Sequence, residues 1–175
     1  TRHGPVVLPT EAGQSALAAG TELELEILHR WLRARPHVPN EHALSGPGLL
    51  HLYLTLFELR DSAPRQATPS EITAAALAGN DPLARETLDL FCGLLGSTVG
   101  DLALAYGVQG GVYLAGGILP QIRDFLINSR FVERFLNKGP MRAALERIPV
   151  RLVEHGQLGV LGAANWYLGQ TAAPH

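Results

Sequence analysis

The chain has 175 residues, 46% of them apolar and 17% charged, with a net charge of −2. That balance fits one folded domain with a sizeable core and excludes a disordered chain. No basic footprint points to DNA or RNA, and the single cysteine, Cys92, excludes an internal disulfide and fits a reducing cytoplasm.

The first residues, Thr1-Arg2-His3-Gly4-Pro5, carry no Met and lead at once into an expected strand at Val6-Val7-Leu8. The chain therefore reads as a cut through a longer protein. No signal peptide is visible, and no apolar run approaches the ~18 residues of a membrane helix. After a loop from Pro9 to Gly20, the spacing predicts a helix over 22–35 with Leu25, Leu28 and Leu32 on one face, Trp31 beside them and Thr21 as N-cap. Pro36 and Pro39 end it. Asn40 to Leu44 reads as a connector. Ser45-Gly46-Pro47-Gly48 opens a second helix with Leu49, Leu52, Leu56 and Leu59 at helical spacing.

Beyond a polar loop, Thr68-Pro69-Ser70-Glu71 has the form of a capping box with proline at the first helical position. It starts a helix ending near Gly79. Asn80-Asp81-Pro82 then begins the longest helix, which runs to about Tyr106. Gly93, Gly96 and Gly100 share one face of it, at a cost of about 1 kcal/mol each relative to alanine. Such a face calls for a very close neighbour, either another backbone element or a ligand.

The run Gly110 to Pro120 reads as a short apolar strand followed by Gly116-Gly117 and a helix start. Bare glycine backbone lets a ligand approach, and α/β proteins bind ligands at the carboxyl edge of a sheet. A nucleotide turn and an ordinary strand-to-helix turn both fit. Short helices are expected near 121–128 and 131–136, with a third within 140–146. A second strand spans Pro149 to Glu154, and His155-Gly156-Gln157-Leu158-Gly159 turns it into a last helix ending near Leu168. The tail from Gly169 is expected to fray. Two strand–glycine–helix units imply a parallel βαβ arrangement with both turns on one sheet edge.

Chemistry-bearing residues are few. Glu11 and Glu41 sit in glycine-flanked loops. Ionised carboxylates accept hydrogen bonds and can orient sugar hydroxyls, although loop acids are more often simply solvated. His37, His42 and His51 match no zinc spacing and read as surface or capping residues. His155 reads as a packing or turn residue, and Cys92 as a buried thiol. No metal site, P-loop lysine motif or GxSxG is present.

Together, Glu41-His42-Ala43-Leu44-Ser45-Gly46-Pro47-Gly48-Leu49, Leu90-Phe91-Cys92-Gly93-Leu94-Leu95-Gly96, Gly110 to Pro120, and Ile148-Pro149-Val150 with Leu158-Gly159-Val160-Leu161-Gly162-Ala163 resemble bacterial glucokinase. Their order and spacing match along nearly the whole chain. The resemblance implies an α/β fold of the actin-like, ribonuclease H-like hexokinase type. Residues 1–175 would be the C-terminal large domain, helix-rich with a small, mostly parallel sheet. It implies transfer of the γ-phosphoryl group of ATP, with Mg2+, to the 6-hydroxyl of glucose in the cytoplasm. The family's phosphate loop, of the Asp-Ile-Gly-Gly-Thr-Asn type, and its catalytic aspartate have no counterpart here. No catalytic or metal-binding residue is therefore assigned, and the chain alone is expected to be inactive.

The resemblance carries over part of the site. The family's Glu-Gly-Gly-His sugar loop matches Glu11-Ala12-Gly13-Gln14, with Ala12 replacing a glycine and Gln14 replacing the histidine. Glu41 matches the second sugar-binding glutamate. Gly116 and Gly117 match adenosine-side glycines, and Ser45 and Gly46 face the nucleotide side. Expected partners are glucose, ATP, the missing N-terminal domain and a second copy in a homodimer, with no nucleic acid and no membrane. The departures at Ala12 and Gln14 keep an alternative open: a sugar-sensing or regulatory protein that retains the fold with weak or no catalysis.

Overall fold

The computed structural model describes residues 7–171. Helices dominate: α1 (Glu22–Leu32), α2 (Asn40–Ala43), α3 (Gly46–Leu59), α4 (Pro69–Ala78), α5 (Pro82–Ala105), α6 (Arg123–Asn128), α7 (Phe131–Leu136), α8 (Arg142–Leu145) and α9 (Leu158–Thr171). Among the described residues the sheet has two parallel strands, β1 (Val112–Leu114) and β2 (Val150–Leu152), with Val112 opposite Val150 and Leu114 opposite Leu152. Parallel pairing sends the turns after both strands out at one edge. Arg123 and Glu154 approach to 3.6 Å there.

The helix starts follow local chemistry. Thr21, Ser45, Thr68 and Asp81 each accept a backbone N–H of the first turn, and Thr68 with Glu71 completes a capping box. Each such cap contributes about 1 kcal/mol. Gly79 closes α4 at φ +71°.

The spine is α5, 24 residues long, packed against α3, α4 and α7. By length and composition it could cross a membrane, contrary to the expectation that no such stretch exists. Its buried Ala84, Leu88, Phe91 and Cys92 belong instead to the central core. Its glycine face receives backbone, which decides between the two alternatives. A Cβ at Gly96 would run into the Phe131 carbonyl, and one at Gly100 would lie 2.7 Å from the Phe135 carbonyl oxygen. Burial pushes the Cys92 thiol up to about 12, so it stays a neutral core side chain.

Four expectations are corrected. Val6 lies outside the described residues, and Val7 and Leu8 are exposed chain without strand pairing. The buried face of α1 is Glu24, Ile27 and Trp31, with Leu28 packed at its edge; Trp31 and Leu28 stand as expected, while Leu25 and Leu32 are 50% and 45% exposed. The cause is an ion pair: Glu24 accepts from Arg134 of α7 at 2.8 Å and from the Gly20 amide at 2.6 Å, with both side chains buried. The 40–44 connector contains the helical turn α2. After Gly117 the chain enters a 3-10 turn, Leu119–Ile122, with Pro120 in its first turn, before α6.

On the outside, α9 exposes Val160, Leu161, Trp166, Tyr167 and Leu168. A groove of about 650 Å³ lies between it and Val7 and Pro9.

Candidate functional site

The candidate sugar segment starts at Glu11, which precedes a 3-10 turn over Ala12–Gln14. The Gln14 amide donates to the Glu11 carbonyl at 2.9 Å. Three residues per turn brings positions three apart to one side. The chain then runs antiparallel to residues 37–40. Leu17 N–H donates to the Val38 carbonyl, Asn40 N–H to the Ser15 carbonyl, and Ala16 bridges Pro39. This pairing places the first turn of α2, and with it Glu41, beside the 3-10 turn.

As a result, Gln14 Nε2 donates to Glu41 Oε2 at 2.7 Å, joining two segments 27 residues apart. Both side chains are exposed, as is Glu11. His37 Nε2 lies 2.9 Å from the Gln14 carbonyl and, as an N–H, donates to it. The sequence showed no such role for His37.

Below Glu41 lies a ring stack. The His42 ring stacks on His51 at 4.3 Å and meets the edge of Trp31 at 4.6 Å. Arg35 Nη1 donates to His42 Nδ1 at 3.0 Å, and His51 Nδ1 donates to the His42 carbonyl at 3.1 Å. Burial, then His51, then Arg35 hold His42 down to about 4. The ring next to Glu41 is therefore neutral near pH 7. These histidines pack and bond; among the described residues no group of three His, Cys, Asp or Glu side chains is placed to hold a metal ion.

Ser45 Oγ donates to the Glu41 carbonyl at 2.8 Å and accepts from Gly48 N–H at 3.0 Å. Its hydroxyl thus fixes the junction of α2 and α3. Around Gly46 there is open space.

Gly116 and Gly117 follow β1 at the carboxyl edge of the sheet. Both are exposed, Gly116 has φ +148°, and a Cβ at either would meet nothing within 4 Å. Gln121 Nε2 donates to the Gly117 carbonyl at 2.9 Å. Among the described residues no hydrogen bond joins this turn to Glu11, Gln14 or Glu41. His155 Nδ1 accepts from Gln157 N–H at 3.2 Å, a turn hydrogen bond as expected. A separate cleft of about 620 Å³, between α5 and α6, is lined by Arg85, Asp89 and Phe125 and by none of the sequence candidates.

Sequence reading missed Asn40, a 7%-exposed side chain whose amide reaches Ser15 and Ala12 and accepts from Thr98. The only available signal was a side-chain amide at the start of a helical turn, next to Glu41.

Comparison with known proteins gives these features a context. A family model described as Glucokinase matches residues 1–170. A "Glucokinase-like protein" of Xylella fastidiosa is 60% identical over 168 residues, covering 96% of this chain and 50% of that protein. A "Glucokinase" of Saccharophagus degradans is 46% identical over 159 residues, covering 91% of this chain and 50% of the relative. The crystal structure of a glucokinase from an Antarctic psychrotroph superposes with a TM-score of 0.84 at 40% identity, over 91% of this chain and 49% of that one. A glucokinase from Balamuthia mandrillaris, in complex with glucose, shares the fold with a TM-score of 0.74 at 21% identity, over 97% of this chain and 49% of its own. The chain therefore spans about half the length of the curated relatives it matches. Its fold is that of the glucokinases, helix-rich with a small parallel sheet, and the chain belongs to the glucokinase family.

Proposed function

We propose that the protein containing this chain transfers the γ-phosphoryl group of ATP to the 6-hydroxyl of glucose, and that this chain is its large, C-terminal domain. The observation that carries the reading is the Gln14–Glu41 hydrogen bond, which brings the two candidate sugar segments to 2.7 Å of each other. Glu11 and Glu41 accept hydrogen bonds from sugar hydroxyls, and Gln14 donates or accepts as required. Positioning of the hydroxyl, rather than covalent chemistry, is what such residues contribute to phosphoryl transfer.

The exposed glycines Gly116 and Gly117, with open space where side chains would stand, fit the adenosine side of ATP. Ser45 and Gly46 border the same reading, Ser45 through the α2–α3 junction. ATP supplies the transferred group when bound. Mg2+ accompanies the ATP phosphates on this reading. The phosphate loop and the acceptor of the hydroxyl proton belong to the half of the relatives that this chain does not span. The protein is read as cytoplasmic, with a homodimer compatible with the family.

The test uses the full-length protein. Glu41→Gln should lower kcat/KM for glucose roughly 100-fold, the scale of lost charge-assisted hydrogen bonds, with the KM for ATP within about twofold. An unchanged glucose response would overturn the reading. The isolated chain should show no glucose-dependent ATP turnover. A second reading, a sugar sensor with little catalysis, draws on the replacement of histidine by Gln14 and on the description of the Xylella relative as glucokinase-like. Glucose binding by the full-length protein without turnover would favour it.

A further inference from the structure

We propose that Asn40 is a positioning residue that sets the spacing of the two sugar segments and ties it to the central helix α5. The functional half of this inference rests on the reading of Glu11, Gln14 and Glu41 as sugar-binding. Asn40 itself faces the inside of the molecule and is buried.

Its hydrogen-bonding groups are all used, and they join its own helix α2 to two other elements. Nδ2 donates to Ser15 Oγ at 3.0 Å and to the Ala12 carbonyl at 3.5 Å. Oδ1 accepts from Thr98 Oγ1 of α5 at 3.3 Å. The backbone N–H donates to the Ser15 carbonyl at 2.9 Å, and the carbonyl accepts from Leu44 N–H at 2.8 Å. Ala12 is the neighbour of Glu11, and Asn40 is the neighbour of Glu41. One planar amide therefore fixes the backbone beside both carboxylates.

Hydrogen bonds rather than packing hold this loop. A cleft of about 360 Å³ opens behind it, lined by Ala12, Ser15, Ala16, Asn40 and Thr98 among others. The small alanines leave it unfilled. Ser15 Oγ and Ser15 N–H also donate to the Ala12 carbonyl, at 2.5 and 3.2 Å, so with Asn40 Nδ2 this oxygen receives three donors. Only a side-chain amide offers two donors and an acceptor at this reach. A carboxylate would lose both donors and turn a buried charge toward the Ala12 carbonyl. An isosteric leucine would lose all three contacts and leave Thr98 Oγ1 without its acceptor.

The experiment compares Asn40→Asp, Asn40→Leu and Thr98→Val with Tyr53→Phe in the full-length protein. Tyr53→Phe removes a buried hydrogen bond on the far side of α3 and serves as the matched structural loss. Two readouts are taken. The first is amide hydrogen exchange at Gln14, Ser15 and Leu17. The second is the KM for glucose against the KM for ATP and kcat. The Asn40 variants should speed exchange at these amides at least tenfold and raise the glucose KM at least tenfold, with the ATP KM within twofold. Thr98→Val, which keeps the fold intact, should move both readouts in the same direction by a smaller factor. Tyr53→Phe should move neither. Loop exchange at the wild-type rate in Asn40→Asp or, failing its folding, in Thr98→Val overturns the proposal. So does a rise in glucose KM no larger than that of Tyr53→Phe. If the wild-type protein binds no glucose, the proposed function fails, and the exchange rates alone decide the role of Asn40.

Discussion

Gly96 and Gly117 are glycines for opposite reasons. At Gly96 the space for a side chain is taken by the Phe131 carbonyl, because α7 lies directly on α5. At Gly117 the space is empty and faces solvent. The same contrast separates the two regions they stand in. Around α5, helices interlock through backbone contact, buried side chains and one buried ion pair. At the candidate sugar loop and the Gly116–Gly117 turn, short irregular segments are held by hydrogen bonds and leave room for something else. Substitutions in the first region should register as stability, and those in the second as binding.

The largest expected effect tests the first region at its ion pair. Arg134 and Glu24 are each only 3% exposed in their side chains, and Arg134 Nη1 is buried without a partner. Glu24→Ala strands the guanidinium and should cost about 3–5 kcal/mol by denaturant unfolding. Replacing both partners by leucine and methionine should cost far less, since neither charge then needs solvation. If the double variant is as unstable as the single one, the pair contributes more than its own desolvation.

Next comes Gly96→Ala. Overpacking against the Phe131 carbonyl should cost roughly 1–3 kcal/mol despite the gain in helix propensity, read from the same unfolding curves. The third prediction concerns Tyr53, whose hydroxyl donates to Asp81 Oδ2 at 2.8 Å while Asp81 Oδ1 caps α5. Tyr53→Phe should cost about 1–2 kcal/mol, since it leaves a buried carboxylate oxygen short of one donor.

A fourth, smaller effect lies at the boundary of the two regions. His42 is held near 4 when folded, against about 6.5 when unfolded. Between those values the unfolded chain binds the extra proton. The contribution of His42 is thus complete above about pH 6.5 and is lost as pH falls toward 4. Solvent screening of this partly exposed ring limits it to the order of 1 kcal/mol. His42→Phe should flatten that limb of the stability–pH curve. An unchanged slope would mean that the ring is not desolvated by its stack. The smallest stability effect belongs to Gly117→Ala, within about 0.5 kcal/mol of wild type. It should nonetheless raise the KM for ATP in the full-length protein. A large loss of stability there would erase the contrast with Gly96.

The helix starts were legible in the residues because caps act locally: Thr68-Pro69-Ser70-Glu71 folds into the capping box its spelling implies. The glycine face of α5 was legible as a demand for close approach, and the parallel strand pair as two similar strand–turn units. The buried face of α1 was not. Its leucines imply one face, but Glu24 pairs with Arg134, 110 positions away, and is buried beside Ile27 and Trp31. The candidate site was legible residue by residue through family resemblance, yet its assembly was not. Nothing local says that Gln14 reaches Glu41, that His37 bonds the Gln14 carbonyl, or that Asn40 ties the Ala12–Ser15 segment to α5.

The sequence by itself determined where the capped helices begin, that one face of α5 needs a close neighbour, and to which family the chain belongs. Those properties depend on neighbours a few positions apart and on motif order. Tertiary structure alone decided which polar groups meet. A buried amide, guanidinium or carboxylate is tolerated only where distant partners satisfy it, and those partners become neighbours only when the chain closes on itself.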